Sequence, residues 1–399
     1  MTAAADWPRV QLGEIGQSLI GLTYRPDDVK SSGTLVLRSS NIQDGSLAFD
    51  DNVYVDCAIP ERIRVRENDI LICVRNGSRR LIGKSVILDR RVVGQTFGAF
   101  MAVYRADSNP FLQYFFKSDD FKRQIDEHLG ATINQITNGS LNSFVVALPS
   151  PTEQREIASR LQDLDQLIAA IDRLITKNQA IKQGMMQQLL TGETRLPGFT
   201  ERWRTATVGD LTDQHRRIVD PRLDRGKWFH HFSLPAFDEA ETPVIQPGSE
   251  IDSIKFVVPT GAVLVSKLNP RIPRIWAPER IGIDSIASTE FVVLTPQPGN
   301  SRLYLKWLMK SNAVVSRMKL LATGTTGSHA RIHPAQVAAI EVRVPGEREQ
   351  EAIGTTLSDA EAEVDLLRKR IAKAKSVRHG MVQELLSGRT RLPVEEVTA

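Results

Sequence analysis

Apolar residues at Ile157, Leu161, Leu164, Ile168, Ile171 and Ile175 are spaced alternately by four and three positions. That period draws a single apolar stripe along a helix, sustained here for almost three heptads. The same register returns at Ile353, Leu357, Ala360, Val364, Leu367 and Ile371. Two long helices are therefore predicted, and the simplest partner for one stripe is the other. Leu167 and Ile181 widen the first stripe beyond a strict seam. A helix from Pro151 to about Leu190 would span roughly 60 Å at about 1.5 Å per residue.

The helices are two copies of one text. Residues 149–197 and 345–393, aligned without gaps at an offset of 196, are identical at 18 of 49 positions. The copies end on Leu189-Leu190-Thr191-Gly192-Glu193-Thr194-Arg195-Leu196-Pro197 and Leu385-Leu386-Ser387-Gly388-Arg389-Thr390-Arg391-Leu392-Pro393. The same offset pairs Trp7 with Trp203 and Gly13 with Gly209, so the repeat includes the start of each half. A unit of about 200 residues is too long for a solenoid repeat and long enough to bury its own core.

Outside the helices the pattern changes to short β-branched runs bounded by Gly, Asn and Asp, as in 69–74 and 99–104, which predicts strands. Asn109-Pro110 opens a helix whose aromatics, Phe111, Tyr114, Phe115 and Phe116, read as core. The second half repeats the order, with strands near 261–265 and 290–294 and a helix from Leu303 through Met309. The expected fold class is α+β: two similar mixed α/β domains, separated and joined by two long helices packed as an antiparallel coiled coil in a pseudo-two-fold internal repeat. The expected segments are 1–148, a first domain; 149–197, a first spacer helix and linker; 198–344, a second domain; and 345–399, a second spacer helix and tail.

The net charge of +4 conceals local clustering. Residues 62–91 hold nine basic residues against three acidic ones, and residues 198–344 hold 19 against 14. Phosphate backbones select such patches, since each neutralised phosphate releases counterion; the alternative is a solvated face. No window reaches the length of a membrane span, and Met1–Pro8 lacks a basic stretch leading into an apolar one, so the expected location is cytoplasmic. Cys57 and Cys73 are too few for a disulfide framework, lack zinc spacing, and read as small buried apolar residues.

Basic loops follow the matched strands. The first carries Arg75, Asn76, Arg79, Arg80 and Lys84, and the second Lys267, Asn269, Arg271 and Arg274. Arg bonds guanine and Asn bonds adenine bidentately in the major groove, so loops carrying both suit base readout. A second, polar loop precedes each long helix: Asn134, Thr137 and Asn138 in the first half, and Thr325, Thr326, His329 and Arg331 in the second. Short polar side chains and exposed amides suit phosphate contact, while turn formation accounts for the same residues equally well.

The chain shows no constellation for chemistry. Gly77 and Gly83 have five residues between them where a phosphate-binding P-loop needs four. Asn109-Pro110-Phe111-Leu112 lacks the second proline and following aromatic of an amino-methyltransferase tetrapeptide. His230, His231, His329 and His333 do not fall at metal-ligand spacing. The expectation is recognition without catalysis, with no metal and no cofactor in this chain.

The repeated Leu-Leu-Thr/Ser-Gly-x-Thr-Arg-Leu-Pro endings, the helix starts Pro149…Glu153-Gln154-x-x-Ile157 and Pro345…Glu349-Gln350-x-x-Ile353, and the Leu37-Arg38-Ser39-Ser40-Asn41-Ile42-x-Asp44-Gly45 segment resemble the specificity subunit of a type I restriction-modification system. The resemblance implies two target-recognition domains, each reading half of a bipartite duplex DNA site, with the helices as a spacer. It implies two methylation subunits as partners, binding S-adenosylmethionine and methylating adenine at N6. It also implies restriction subunits that translocate DNA using ATP and Mg. Residues 130–134 depart from the Gly-Thr-Thr type of loop, and the second half has Phe232-Ser233-Leu234-Pro235-Ala236 where the first has its Asn-Ile-x-Asp-Gly segment. Two alternatives stay open: a DNA-recognition subunit whose methyltransferase and nuclease partner is one fused chain, and a non-catalytic coiled-coil protein scaffold.

Overall fold

The computed structural model describes residues 7–129, 134–324 and 330–392. The chain divides into two compact units, residues 1–171 with 370–399, and residues 172–369. Both unit boundaries cut the long helices, which run Pro151–Thr191 and Glu347–Leu386. Each unit thus holds one globular module, the first part of the long helix that follows it, and the last part of the other long helix.

In the first unit a four-stranded antiparallel sheet orders strands Gln17–Ile20, Met101–Arg105, Ile70–Cys73 and Ser85–Ile87. All four residues of Ile70–Cys73 are buried, as expected of a β-branched run with neighbours on both edges. Helices Asn109–Phe115 and Asp119–His128 follow, the first with Pro at its first turn and the second capped by Ser118. Phe115, Phe116, Phe121 and Phe144 stack edge to face, so the aromatics of this stretch are core. A second sheet, with strands Thr34–Leu37 and Thr96–Phe97 parallel, closes a separate core around Val36, Leu37, Cys73 and Phe97. Cys73 is fully buried as expected; Cys57 is only half-buried, at the edge of that core.

The second unit repeats the plan of the first sheet, while its other sheet has five strands where the first unit's has four. Its four-stranded sheet orders Thr212–His215, Phe291–Pro296, Val263–Ser266 and Ile275–Trp276, all antiparallel. Helices Arg302–Lys310 and Asn312–Leu321 occupy the place of the aromatic pair above. In each unit the strand that opens the module pairs with the strand that closes it, Arg9–Gln11 with Val145–Ala147 and Arg204–Thr207 with Glu341–Val344.

The apolar stripes divide their work. Ile157 and Leu161 are buried in the first module's core together with Val382 and Leu385 from the end of the second long helix. Ile353 and Leu357 are buried in the second module's core with Leu189 and Leu190. The opening positions of each stripe are therefore spent on a module as well as on the partner helix. Farther along, Val364 and Leu367 are buried and Leu164, Ile168, Ile171, Ile175 and Ile371 are half-buried, while Leu167 and Ile181 are exposed. Within each unit the helix segments run antiparallel: Asp165 bonds Arg378 in the first, and Asn178 bonds Glu363 and Lys182 bonds Glu361 in the second.

The conserved ending of the repeat acquires a physical reason. In the second unit Gly192 adopts φ +75°, and a Cβ there would stand 3.4 Å from the Trp203 ring. Arg195 then lies over Trp203 and grips the buried Glu349 through two bonds of 2.5 and 2.6 Å, while Trp203 Nε1 donates to the same carboxylate. The first unit brings the same four residue types together, with Gly388 at φ +69° against Trp7, and Arg391 over Trp7 and bonded to Glu153 at 3.3 Å. Burial opposes ionisation of Glu153, but bonds from Ser150 and the Arg391 charge hold its carboxyl below the usual range. Each latch joins the tail of one long helix to the start of the other, so both copies must keep the same four residue types.

Candidate nucleic-acid interface

The sheet Ile70–Cys73/Met101–Arg105 ends in a backbone junction with the polar loop. Val74 and Arg75 both donate their amides to the Phe100 carbonyl, Ile136 donates to the Val74 carbonyl, and Arg75 pairs with Gln135 across a short antiparallel bridge. The second module reproduces the junction: Lys267 donates to the Glu290 carbonyl, Ile332 donates to the Lys267 carbonyl, and Leu268 pairs with Arg331. This ladder fixes equivalences that the sequence offset leaves uncertain. Asn76 corresponds to Asn269. Arg75, however, corresponds to Leu268, Lys267 to the buried Val74, Arg331 to Gln135, and Glu290 to Phe100.

Side-chain chemistry at the matched places is opposite in the two modules. In the first, the Arg75 guanidinium lies 5.1 Å from the centroid of the exposed Phe100 ring and makes no ion pair among the described residues. In the second, Arg331 projects from the other strand of the bridge and pairs with Glu290 at 3.1 Å. The asparagines organise their loops. Asn76 Oδ1 accepts from the Ser78 amide at 2.9 Å, and Asn269 takes a left-handed φ of +45°, which Asn tolerates better than most residues.

The remaining basic positions separate into two groups. Arg80, Lys84, Lys267 and Arg271 have no ionic partner among the described residues, and Arg80 and Arg271 are exposed. Arg79 instead pairs with Asp126 at 3.5 Å, and Arg274 makes a bidentate pair with Asp238 at 2.6 and 2.8 Å. That pairing raises the Arg274 guanidinium above its ordinary value and lowers the Asp238 carboxyl. Arg79, Arg80 and Lys84 line a cleft with Lys117 and Lys122, distinct from the one that Arg75 and Asn76 share with Arg38 and Phe100. The basic run 62–91 is thus no single patch, since Arg64, Arg90 and Arg91 pair with Glu61, Glu67 and Asp89.

The polar loop is committed in part to architecture. Thr137 caps the helix Asn138–Ser143, Asn138 Nδ2 donates to the Ser18 carbonyl, and Asn134 Nδ2 donates to the Gly77 carbonyl. His333 caps the equivalent helix Pro334–Ala338. Thr325, Thr326 and His329 lie outside the described residues. Tyr24 and Phe100, which share the Arg75 cleft, were not singled out from the sequence as contact residues, Phe100 being read only as part of the strand 99–104; Arg38, also in the cleft, belongs to the segment 37–45 that carries the family resemblance. Among the described residues no group of three His, Cys, Asp or Glu side chains could hold a metal ion, and no helix is long and apolar enough to cross a membrane.

Comparison with known proteins agrees with the resemblance. The type I restriction modification DNA specificity domain matches residues 5–183. The EcoKI type I restriction enzyme specificity subunit of Escherichia coli K12 is 27% identical over 209 residues, 50% of this chain and 44% of that protein. The StySPI specificity subunit of Salmonella potsdam is 27% identical over 186 residues, 44% of this chain and 39% of that protein. The matched stretch therefore spans less than half the length of either relative. The crystal structure of a type I restriction-modification S subunit from M. genitalium shares the fold, with a TM-score of 0.60 at 16% identity, covering 97% of this chain and 98% of that one. Residues 5–183 match the type I restriction modification DNA specificity domain, and the chain is similar to the specificity subunits of type I restriction enzymes.

Proposed function

We propose that this chain is the sequence-reading subunit of a DNA-modifying complex, recognising an asymmetric, two-part duplex site and directing adenine-N6 methylation and restriction carried out by partner subunits. The observation that carries the reading is the repeated backbone junction with unlike side chains, Arg75 beside Phe100 in one module and Arg331 beside Glu290 in the other. One frame with two chemistries suits two different half-sites on one duplex. On this reading residues 1–148 and 198–344 are the two target-recognition domains. Residues 149–197 and 345–399 supply an antiparallel coiled-coil spacer. The chain is not itself an enzyme: two methylation subunits bring S-adenosylmethionine and flip the target base, and restriction subunits bring ATP and Mg. The complex works in the cytoplasm. The contacting residues are those of the basic and polar loops, with Thr325, Thr326 and His329 among them.

The test is to map N6-methyladenine in the host genome with and without this gene. The expected result is a two-part motif with unlike halves that disappears on deletion. A methylation pattern untouched by deletion refutes the proposal. The scaffold alternative is separated by salt: duplex affinity that falls steeply with added salt supports phosphate recognition.

A further inference from the structure

The cleft holding Arg75 has a volume of about 520 Å³ and is walled by Tyr24, Arg38, Ser39, Asp51, Asn76 and Phe100. Three features set it apart from a generic basic surface. Phe100, at 59% exposure, stands on the cleft wall beside Arg75. Arg75 places its guanidinium over that ring, 5.1 Å from the centroid, while its five N–H donors have no hydrogen-bond acceptor among the described residues. Arg38 Nε and Ser40 Oγ, beside them, are shielded from solvent and also lack a partner.

We propose that this cleft is the base-reading subsite of the first module, and that Arg75, seated over Phe100, reads a guanine edge through its O6 and N7. The proposal rests on the DNA-recognition reading above and names the residue that sets one base of one half-site. The planar fork of arginine suits bidentate contact with the O6 and N7 of a guanine; the same fork fits a phosphate, so the surroundings decide between them. The Asp51 carboxylate, paired with Arg38 at 2.9 Å, disfavours a phosphate in the same cleft. The second module cannot read in this way, because Leu268 stands where Arg75 does, and Glu290, in the place of Phe100, neutralises Arg331. The guanine preference therefore belongs to the first module's half-site alone.

The test is selection from a randomised duplex library by the tagged full-length chain, isolated from its host with the subunits that accompany it. Wild type is compared with Arg75→Lys, Arg75→Ala and Phe100→Leu. Wild-type selections should share a guanine at one position of one half-site. Both Arg75 variants should lose about tenfold or more of that preference, with the other half-site unchanged. Phe100→Leu should weaken it by about two- to fivefold. Unshifted thermal unfolding of the variants shows that the fold is intact, and Arg75→Lys removes the fork while keeping the charge. If Arg75→Lys keeps the preference, or Arg75→Ala weakens all duplexes equally, Arg75 binds phosphate and the proposal is overturned while DNA recognition stands. If wild type retains no duplex, both readings fall.

Discussion

Salt dependence should distinguish the uncommitted cations from the paired ones. Among the described residues Arg80, Lys84, Lys267 and Arg271 have no counter-charge, whereas Arg79, Arg274 and Arg331 each face a carboxylate. Each phosphate neutralised in B-DNA contributes about 0.9 to the slope of log affinity against log salt. Replacing the four uncommitted residues with glutamine should therefore flatten the slope by up to about 3.6. Between about 50 and 200 mM salt, the wild-type chain would lose roughly 100-fold more affinity than the quadruple variant.

The paired arginines should behave differently because each must surrender an existing carboxylate before it can meet a phosphate. Arg274, with its side chain 14% exposed and its fork fully used by Asp238, should contribute least to the slope. Arg79, at 3.5 Å from an exposed Asp126, is the easiest of the three to exchange, since such surface pairs are weak. Fluorescence anisotropy of a labelled target duplex across a salt series measures both sets. Equal flattening by the triple variant Arg79→Gln, Arg274→Gln, Arg331→Gln, or none by the quadruple one, would refute the assignment.

Three further perturbations have defined expected outcomes. In the second unit Glu361 faces Lys306, Lys310 and Lys182 at 2.5, 3.7 and 3.5 Å, three ammoniums that also surround the buried Trp307 ring. Glu361→Gln leaves these charges uncompensated and should cost about 2 to 3 kcal/mol, lowering that unit's melting temperature by roughly 4 to 12 °C; no shift in calorimetry would sink the idea. Burial opposes ionisation of Glu361, but the lysines outweigh it and hold the carboxyl below its usual range, so its stabilisation is complete above the unfolded value of about 4.3 and is lost as pH falls through the lower folded value. Glu361→Gln should therefore blunt acid destabilisation between neutral and strongly acidic pH. Arg195→Leu should release the tail from Trp203 and Glu349, read as a red-shifted tryptophan emission and faster amide exchange at 192–203, with an unchanged spectrum counting against the latch. Inserting about four residues into 157–181 adds about 6 Å of helix and should alter the gap between methylated half-sites without altering their bases; an unchanged gap contradicts the spacer role.

What the sequence disclosed and what it hid have separate physical origins. The repeat was legible because the latch needs a glycine at positive φ, a tryptophan, an arginine and a buried glutamate in both copies, so drift at Gly192, Trp203, Arg195 or Glu349 is costly. The buried strands Ile70–Cys73 and Val263–Ser266 were legible because β-branched runs flanked by turn residues have few other uses. Phe100 was not, because one aromatic ahead of a buried strand is core or surface according to register, which only strand pairing decides. The ion pairs of Arg79, Arg274 and Arg331 were equally hidden, since Asp126, Asp238 and Glu290 lie 36 to 47 residues from their partners.

The junction also shows how such a frame can change its reading without being rebuilt. Its hydrogen bonds, from residue 136 to 74 and from 332 to 267, run between backbone groups that every residue except proline can supply. Side chains at the bridge are thus released from holding the loop together. The charge can then sit at Arg75 on one strand or at Arg331 on the other, and the neighbouring place can hold an aromatic platform or a carboxylate, while the main chain keeps its pairing. The core beneath imposes the opposite constraint: Ile72, Ala102, Val265 and Val292 are buried and leave no room for comparable exchange. Divergence of specificity can therefore concentrate at positions where backbone pairing is fixed and side chains face outward, as Arg75 and Phe100 against Leu268 and Glu290 illustrate.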